Sequence, residues 1–478
     1  MTTPNDLSRR RFLQRAAVAT LMATSSGTLL SACAGGGGDD PGNADGVGEK
    51  SADNPFGVKA DAALEVVIFK GGYGDDYAKF HQELYKEKYP NAQITHKGIT
   101  DIRAQLQPRF NAGNPPDLIF NAGGNLLPLA PLLATGQLAD LTPLYDADSI
   151  DKPGTKIRDT LEPIALEQGR ATGETTVFGV QYAVTVYALW YDQTLFESKG
   201  WQPAKTWTEF MTLCEDMKKA GVAPMAHQGK HPNYVAQVLW DMAVKHGGHE
   251  VIKAIDSLEP NAWKHPSIKL AAEAMLELKG KGYIMQGTEG LDHIQSQTRW
   301  NEGKAAFIPS GSWLENEQKP VVATVNPAFA TTAAPTPLLD GAKLPFECTE
   351  VTVSEPFIVP AQAKNVAGAM ELLRLALSKE GAAKFTELTG APTIVKGAAE
   401  GITLTTGAES ASKLLASGGE NNWNPYYPGW YPTMSDPTNS AVGELVAARI
   451  TADEFLNRCQ AAADDAAKDP NTQKRTRN

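Results

Sequence analysis

The sequence predicts an α/β fold in two lobes, and three observations carry that reading. The chain has 478 residues, more than one ordinary core absorbs, so two lobes of about 150 to 200 residues suit it. Between Leu64 and Phe120 strand-like and helix-like runs alternate, the rhythm of a parallel sheet with crossover helices. The run Val177 to Asp192, VFGVQYAVTVYALWYD, is apolar or aromatic apart from Gln181 and Thr185, which marks a strand buried on both faces. Such a strand belongs in the middle of something large.

Taken in order, the first strand is Leu64 to Phe69, followed by the turn Gly71-Gly72-Tyr73-Gly74. A helix starts near Asp76 with Tyr77, Phe80 and Leu84 on one face and closes at Tyr89-Pro90-Asn91. A short strand around Ile94, a helix from about Thr100 and a strand at Leu118-Ile119-Phe120 lead into the turn Asn121-Ala122-Gly123-Gly124-Asn125. In parallel sheets ligands bind beyond the carboxyl ends of strands, which makes Tyr73, Asn121 and Asn125 candidates. The competing reading of the asparagines is that they only tolerate tight turn geometry. Neither turn is followed by the Lys-Ser or Lys-Thr of a phosphate loop, so nucleotide binding is disfavoured.

After the central strand, Thr206 and Glu209 make a capping box for a helix that places Phe210, Leu213, Cys214 and Met217 on one face. Val222 to Trp240 reads as irregular and then helical. Its HQGKH has the i, i+4 histidine spacing of a metal pair, but a glycine lies between His227 and His231 and Gln228 stands where a zinc peptidase needs Glu, so a polar loop is preferred. A strand at Ala305 to Ile308 ends in Pro309-Ser310-Gly311-Ser312-Trp313. An indole there has the shape to cover the apolar face of a sugar; a core tryptophan is the alternative.

Val351 to Val359 reads as strand, Ala367 to Ser378 and Lys379 to Thr389 as helices, the second closed by Gly390. Five aromatics then fall between Trp423 and Tyr431 among Pro, Gly and Asn, a composition hard to bury as regular structure and suited to a ligand-facing loop. Thr451 and Glu454 cap a last helix, and Lys468 to Asn478 is polar and expected to fray.

Charge and cysteine narrow the classes. A net charge of −11 argues against a nucleic-acid partner. The first 32 residues carry a net +3 and read as an address: Ser8-Arg9-Arg10-Arg11-Phe12-Leu13 has the twin-arginine pattern and Leu30-Ser31-Ala32-Cys33 that of a lipobox. Their removal leaves a chain of −14. Acylation of Cys33 would hold the protein at a membrane, and no later run approaches the 18 apolar residues of a spanning helix. Cys214, Cys348 and Cys459 show no CxxC spacing, so a zinc site is disfavoured and buried free thiols are expected.

The order of Tyr182, Trp190-Tyr191-Asp192, Leu195-Phe196, Gly200, Pro203 and Thr206-Trp207-x-Glu209-Phe210 resembles the central segment of the sugar-binding receptors of ABC importers, the maltodextrin-receptor-like family 1. Pro116-Asp117-Leu118-Ile119 before a polar turn, and Gly303-Lys304-Ala305 with Gly311-x-Trp313, are similar to that family too. With the lipoprotein start and the WNPYYPGW region, the chain looks most like the actinobacterial N-acetylglucosamine/chitobiose-binding lipoproteins. The resemblance implies a periplasmic-binding-protein-like type II fold with two lobes, a hinge and an interlobe cleft. Residues 61–181 and 355–400 would form lobe 1 and residues 182–350 and 401–465 lobe 2, behind a leader (1–32) and a flexible tether (33–60) and ahead of a polar tail (466–478).

It further implies Trp313 and Trp430 as sugar platforms, with Tyr73, Asn121, Asn125, Tyr182, Tyr191, Ser312 and Tyr431 around them; Asp192 and Glu355 are open carboxylate candidates. The implied function is capture of N-acetylglucosamine, chitobiose or a similar saccharide and delivery to ABC permease subunits, by a monomer without cofactor or metal, lipid-anchored on the outer face of the cytoplasmic membrane. A secreted glycoside hydrolase would use the same aromatic surfaces but needs two carboxylates about 5 to 10 Å apart, and no short constellation singles them out. A carbohydrate-binding surface protein without a transporter is the third reading.

Overall fold

The computed structural model describes residues 48–123, 125–162, 165–166, 176–470 and 472–477, without the side chains of Ser354 and Glu355. The leader, Cys33, the tether up to residue 47 and the Glu355 carboxyl therefore lie outside the described residues. Among the described residues the strands are β1 (Leu64–Phe69), β2 (Ile94–Ile99), β3 (Leu118–Phe120), β4 (Val180–Asp192), β5 (Ala223–Met225), β6 (Ala305–Gly311), β7 (Thr331–Ala334) and β8 (Val351–Ile358). They pair in the order β2-β1-β3-β8-β4-β6-β5, with β7 also on β4.

The α/β rhythm of the N-terminal third is realised as a parallel β2-β1-β3 unit, with the helices Asp76–Lys88 and Ile102–Asn111 as the returns. Side-chain alternation sends neighbouring residues to opposite faces of this sheet. Val66, Ile68, Leu118 and Phe120 enter one core, while Val67 and Ile119 meet Ile102, Leu106 and Phe110 on the other side.

β4 changes partners along its length. Residues Val180 to Val186 pair antiparallel with β8, and Tyr187 to Tyr191 pair antiparallel with β6. With the partner the core changes too. Val180, Tyr182, Ala183 and Val184 belong to a first core that holds β1, β3 and β8 and the helices Val366–Ala376 and Lys379–Thr389. Leu189 belongs to a second core built by Trp207–Lys219, Asn233–Gly247, Pro266–Gly280, Ser435–Val446 and Ala452–Lys468. The two predicted capping boxes, at Thr206 and Thr451, are both formed, and Phe210, Cys214 and Met217 are buried.

Four expectations need correction. β6 continues through Pro309 and Ser310 to Gly311 instead of ending at Ile308. Packing begins before Asp61: Phe56 and Val58 are buried in the first core, and the Asn54 side chain accepts a hydrogen bond from the Val58 amide at 2.7 Å. The aromatic segment is mostly interior, since Trp423, Tyr427 and Tyr431 are buried in the second core; Trp263 supplies Tyr427 with an edge-on partner at 5.4 Å. The tail is docked rather than frayed, with Arg477 pairing Asp256 at 2.5 Å.

Cys214, Cys348 and Cys459 are buried free thiols. Burial raises all three thiol pKa values, that of Cys348 to about 12.

At the foot of β8 the two cores and the aromatic segment meet. The Tyr187 amide donates to the Glu350 carbonyl at 3.0 Å, Trp423 N to Thr349 O at 3.1 Å and Val351 N to Trp423 O at 2.8 Å. Below this junction Asp241 and Lys245 form a buried pair at 2.8 Å; Trp423 Nε1 donates to Asp241 at 2.8 Å and Lys245 Nζ to Thr336 O at 3.0 Å. Glu350 is buried beside them, and loss of hydration, helped by the Asp241 charge, pushes its carboxyl pKa up to about 8 from 4.5.

A carboxyl raised in this way keeps its proton in the folded chain after the unfolded chain has released it. Its contribution to stability is therefore full below about pH 4.5 and declines as pH rises towards about 8. Glu350→Gln should flatten that slope: between about pH 5 and pH 8 the parent should lose more melting temperature than the variant. Parallel slopes in a thermal denaturation series would show that the carboxyl is not held protonated.

Candidate functional site

The strand ends nearest the seam between the cores are lined with rings, and glycines make room for them. A methyl group at Gly71 would stand 2.1 Å from the Phe69 ring and one at Gly123 2.4 Å from it, so the half-buried Phe69 lies between the two glycine turns. A methyl at Gly72 would stand 3.0 Å from Trp313 Cβ and Cδ1, and one at Gly311 2.1 Å from the indole. Trp313 is thus seated over its own strand end and against the β1 turn. It follows β6, whose Ala306 and Phe307 are in the second core, yet its side chain packs on the first.

Around Trp313 other aromatic groups stand edge-on or in parallel. Tyr187, from the middle of β4, is 5.6 Å away at 87°, and Tyr234, from the first turn of the helix Asn233–Gly247, 6.2 Å away at 78°. Tyr234 lies parallel to His293 at 6.4 Å, and His231 is 5.4 Å from His293. Asn316 Nδ2 donates to the Gly72 carbonyl at 2.6 Å and ties the helix Leu314–Val325 to the β1 turn.

One turn further, on the same helix face as Trp313, Glu317 Oε1 lies 3.9 Å from His293 Nε2. Glu317 Oε2 is buried, with the Gln297 side chain beside the carboxyl. Desolvation raises the Glu317 pKa, with Gln297 and His293 opposing, and desolvation together with the His293 charge lowers that of His231. Both shifts favour the neutral forms. The result is a strip of stacking faces with hydrogen-bonding groups along one side.

The sequence-predicted residues divide into three groups. Ser312 and Trp313 sit at the seam, where Ser312 Oγ accepts from Val186 N at 3.3 Å. Tyr73 lies in the adjoining turn but is buried, its hydroxyl 3.4 Å from Thr185 Oγ1 and its ring edge-on to Phe385. Tyr191 is half-buried on Phe196 and Phe307 at the margin of the second core.

Others are committed elsewhere. Tyr182 is wholly buried and donates to the Ala376 carbonyl at 2.7 Å. The Asn121 amide closes its own turn, donating to Leu127 O at 3.0 Å and accepting from Leu127 N at 2.8 Å, which is the turn role. The exposed Asn125 donates to Asp101 at 2.8 Å. Asp192 accepts from Thr194 N and Ala330 N, so it caps a helix. Tyr431 is buried, and its hydroxyl accepts from Arg475 N at 3.0 Å. Trp430 is half-buried beside Tyr426 at 5.1 Å, with the Arg475 guanidinium over its ring at 5.4 Å. For Tyr182, Asn121 and Tyr431 the correction has one cause: each polar tip already has its partner inside the protein.

Sequence reasoning missed Phe69, Tyr187, His293 and Glu317. Only Phe69 carried a signal, as the aromatic at a strand end directly before Gly71-Gly72. His227, in the HQGKH loop, has its ring buried, and desolvation lowers its pKa to about 4. A hollow of about 570 Å³ bordered by Asp192, Leu195, Arg299, Asn301 and Val325 lies away from Trp313. It has no aromatic wall, so it lacks the stacking faces that the seam provides.

A family described as bacterial extracellular solute-binding protein matches residues 70–383. The diacetylchitobiose binding protein NgcE of Streptomyces coelicolor is 36% identical over 438 residues, 90% of this chain and 91% of its own. Among solved structures, a chitin oligosaccharide binding protein has a TM-score of 0.67 at 17% identity, over 84% of this chain and 99% of its own. RafE from Streptococcus pneumoniae, in its apo form, has a TM-score of 0.66 at 16% identity, over 86% and 99%. At these identities the structural likeness is one of fold, the two-lobed α/β type.

The glycine contacts give a direct test of the seam. Gly311→Ala should push the Trp313 ring aside without unfolding the chain. With 5-fluorotryptophan in place of the nine tryptophans, one fluorine resonance, assigned by Trp313→Phe, should move well beyond the others. An unmoved Trp313 resonance would mean that the indole does not stand over Gly311.

Proposed function

The chain belongs to the bacterial extracellular solute-binding proteins, and from that premise we propose that it captures an N-acetylated chito-oligosaccharide, diacetylchitobiose above all, at the Trp313 seam and delivers it to an ABC permease. The observation that carries the reading is the half-buried indole of Trp313, placed where a β6 end from one core meets the β1 turn of the other. A pyranose presents apolar C–H faces and a rim of hydroxyl and acetamido groups. Trp313, with Tyr187 and Tyr234 edge-on to it, suits the faces, and Glu317 and His293 suit the rim. The lowered His231 pKa favours a neutral ring, which matches an uncharged ligand. The 36% identity to a diacetylchitobiose binding protein over nearly the whole chain supports the choice of sugar.

In this reading the cores close over the sugar by bending at β4 and β8, the strands that join them. A binding protein of this kind makes and breaks no covalent bond, so no catalytic carboxylate pair is required. Trp313 is the main platform; Trp430, half-covered by Arg475, is at most a second one. Export by the twin-arginine route and acylation of Cys33 would keep the monomer at the outer face of the cytoplasmic membrane, within reach of its permease.

Equilibrium titration of the purified chain with diacetylchitobiose, N-acetylglucosamine, cellobiose and maltose tests the proposal. Diacetylchitobiose should bind tightest; no binding by any of them below about 1 mM, roughly −4 kcal/mol, would remove it. Trp313→Ala should weaken the best ligand by at least about tenfold, or about 1.4 kcal/mol, whereas Tyr182→Phe should leave affinity within about twofold. Cys33→Ala should move the protein from the membrane fraction to the soluble one; continued sedimentation with membranes would exclude the lipid anchor.

A further inference from the structure

Near the end of the described residues, Arg475 and Arg477 reach into a pocket that the polar composition of the tail gives no reason to expect. Arg477 Nη1 donates to Asp256 Oδ2 at 2.5 Å and to Asn424 O at 2.6 Å, Nη2 donates to Asn424 Oδ1 at 2.7 Å, and the Arg477 amide donates to Ser257 Oγ at 3.0 Å. The guanidinium plane lies over the Tyr426 ring at 4.0 Å. Two residues earlier, Arg475 covers Trp430 and its amide binds the Tyr431 hydroxyl. The tail thus touches three of the five aromatics of the segment Trp423 to Tyr431.

Asp256 explains why a cation is needed there. It is the last residue of the helix Glu250–Asp256, where the carbonyl end of the helix dipole disfavours negative charge. Its side chain is fully buried. Oδ1 accepts from the amides of Tyr426 and Tyr427 at 2.9 and 2.7 Å, which leaves Oδ2 to Arg477. Among the described residues no other cation pairs with it. The groups that the Arg477 head touches are acceptors and a ring: a carboxylate oxygen, a carbonyl, an amide oxygen and a phenol face. That set fits a flat cation with several N–H donors, and fits a round ammonium poorly.

We propose that Asp256, Asn424 and Tyr426 form a guanidinium-binding site, which the chain fills with its own Arg477, and that filling it fixes the aromatic segment against the foot of β8. The link to β8 is the pair of backbone bonds on Trp423, from Trp423 N to Thr349 O and from Val351 N to Trp423 O. The site is separate from the sugar seam, and its test does not use a sugar.

The experiment uses the full chain with Arg477→Ala and reads the melting temperature and the hydrogen exchange of the Trp423 and Val351 amides. The substitution leaves a buried carboxylate half-satisfied, so the melting temperature should fall by several degrees and both amides should exchange at least about tenfold faster. Methylguanidinium at about 10 mM, far below the range in which guanidinium denatures, should then raise the melting temperature of the variant and not of the parent. Methylammonium at the same concentration should do neither. Arg477→Lys should recover less than half of the lost degrees. A variant that melts and exchanges like the parent would show that the tail does not fill the pocket, and equal rescue by methylammonium would show that the pocket does not select guanidinium.

Discussion

A single strand belongs to both halves of this molecule. β4 is thirteen residues long, and its first half is zipped to β8 inside one core while its second half is zipped to β6 inside the other. A strand with ladder partners on both sides cannot slip by one residue without turning its whole apolar set over. The register of β4 therefore fixes where each core stands along it. Tyr187 falls at the change of partner, half-exposed in a strand that is otherwise nearly all buried.

That change of partner is what brings the seam together. At the same level β6 leaves the sheet through Gly311, and Trp313 turns back over it to meet Gly72. Glycine at these two positions is a matter of space rather than of backbone freedom, since neither has a positive φ. The rings gathered there come from β1, β4, β6 and two helices, so no short piece of sequence contains the site. Its polar side is likewise composite, with Glu317 from one helix facing His293 from another.

Much of the fold could be read in advance. β1 and the two capping boxes were legible because each depends on local signals: a short apolar run, and a hydroxyl and a carboxyl three residues apart. The seam indole was legible for a similar reason, being marked by the small residues before it. Burial of aromatics was not. Tyr182, Tyr427 and Tyr431 differ from Tyr187 only in what the rest of the chain packs against them, and no spacing reveals that. The polar tail misled in the same way: its composition says solvent, but Arg477 answers a carboxylate more than two hundred residues away. Composition describes what a segment can do alone and is silent about a partner waiting elsewhere.

The three interior thiols have a practical consequence. Cys214 and Cys459 are inaccessible in helices of the second core, Cys348 is enclosed near the Asp241 pair, and burial holds all three in the unreactive protonated form. With Cys33 replaced, a cysteine introduced at an exposed position on either side of the seam would be the one site that a maleimide dye reaches. The closure proposed above could then be followed by fluorescence transfer between two such sites, with no interior thiol to remove first.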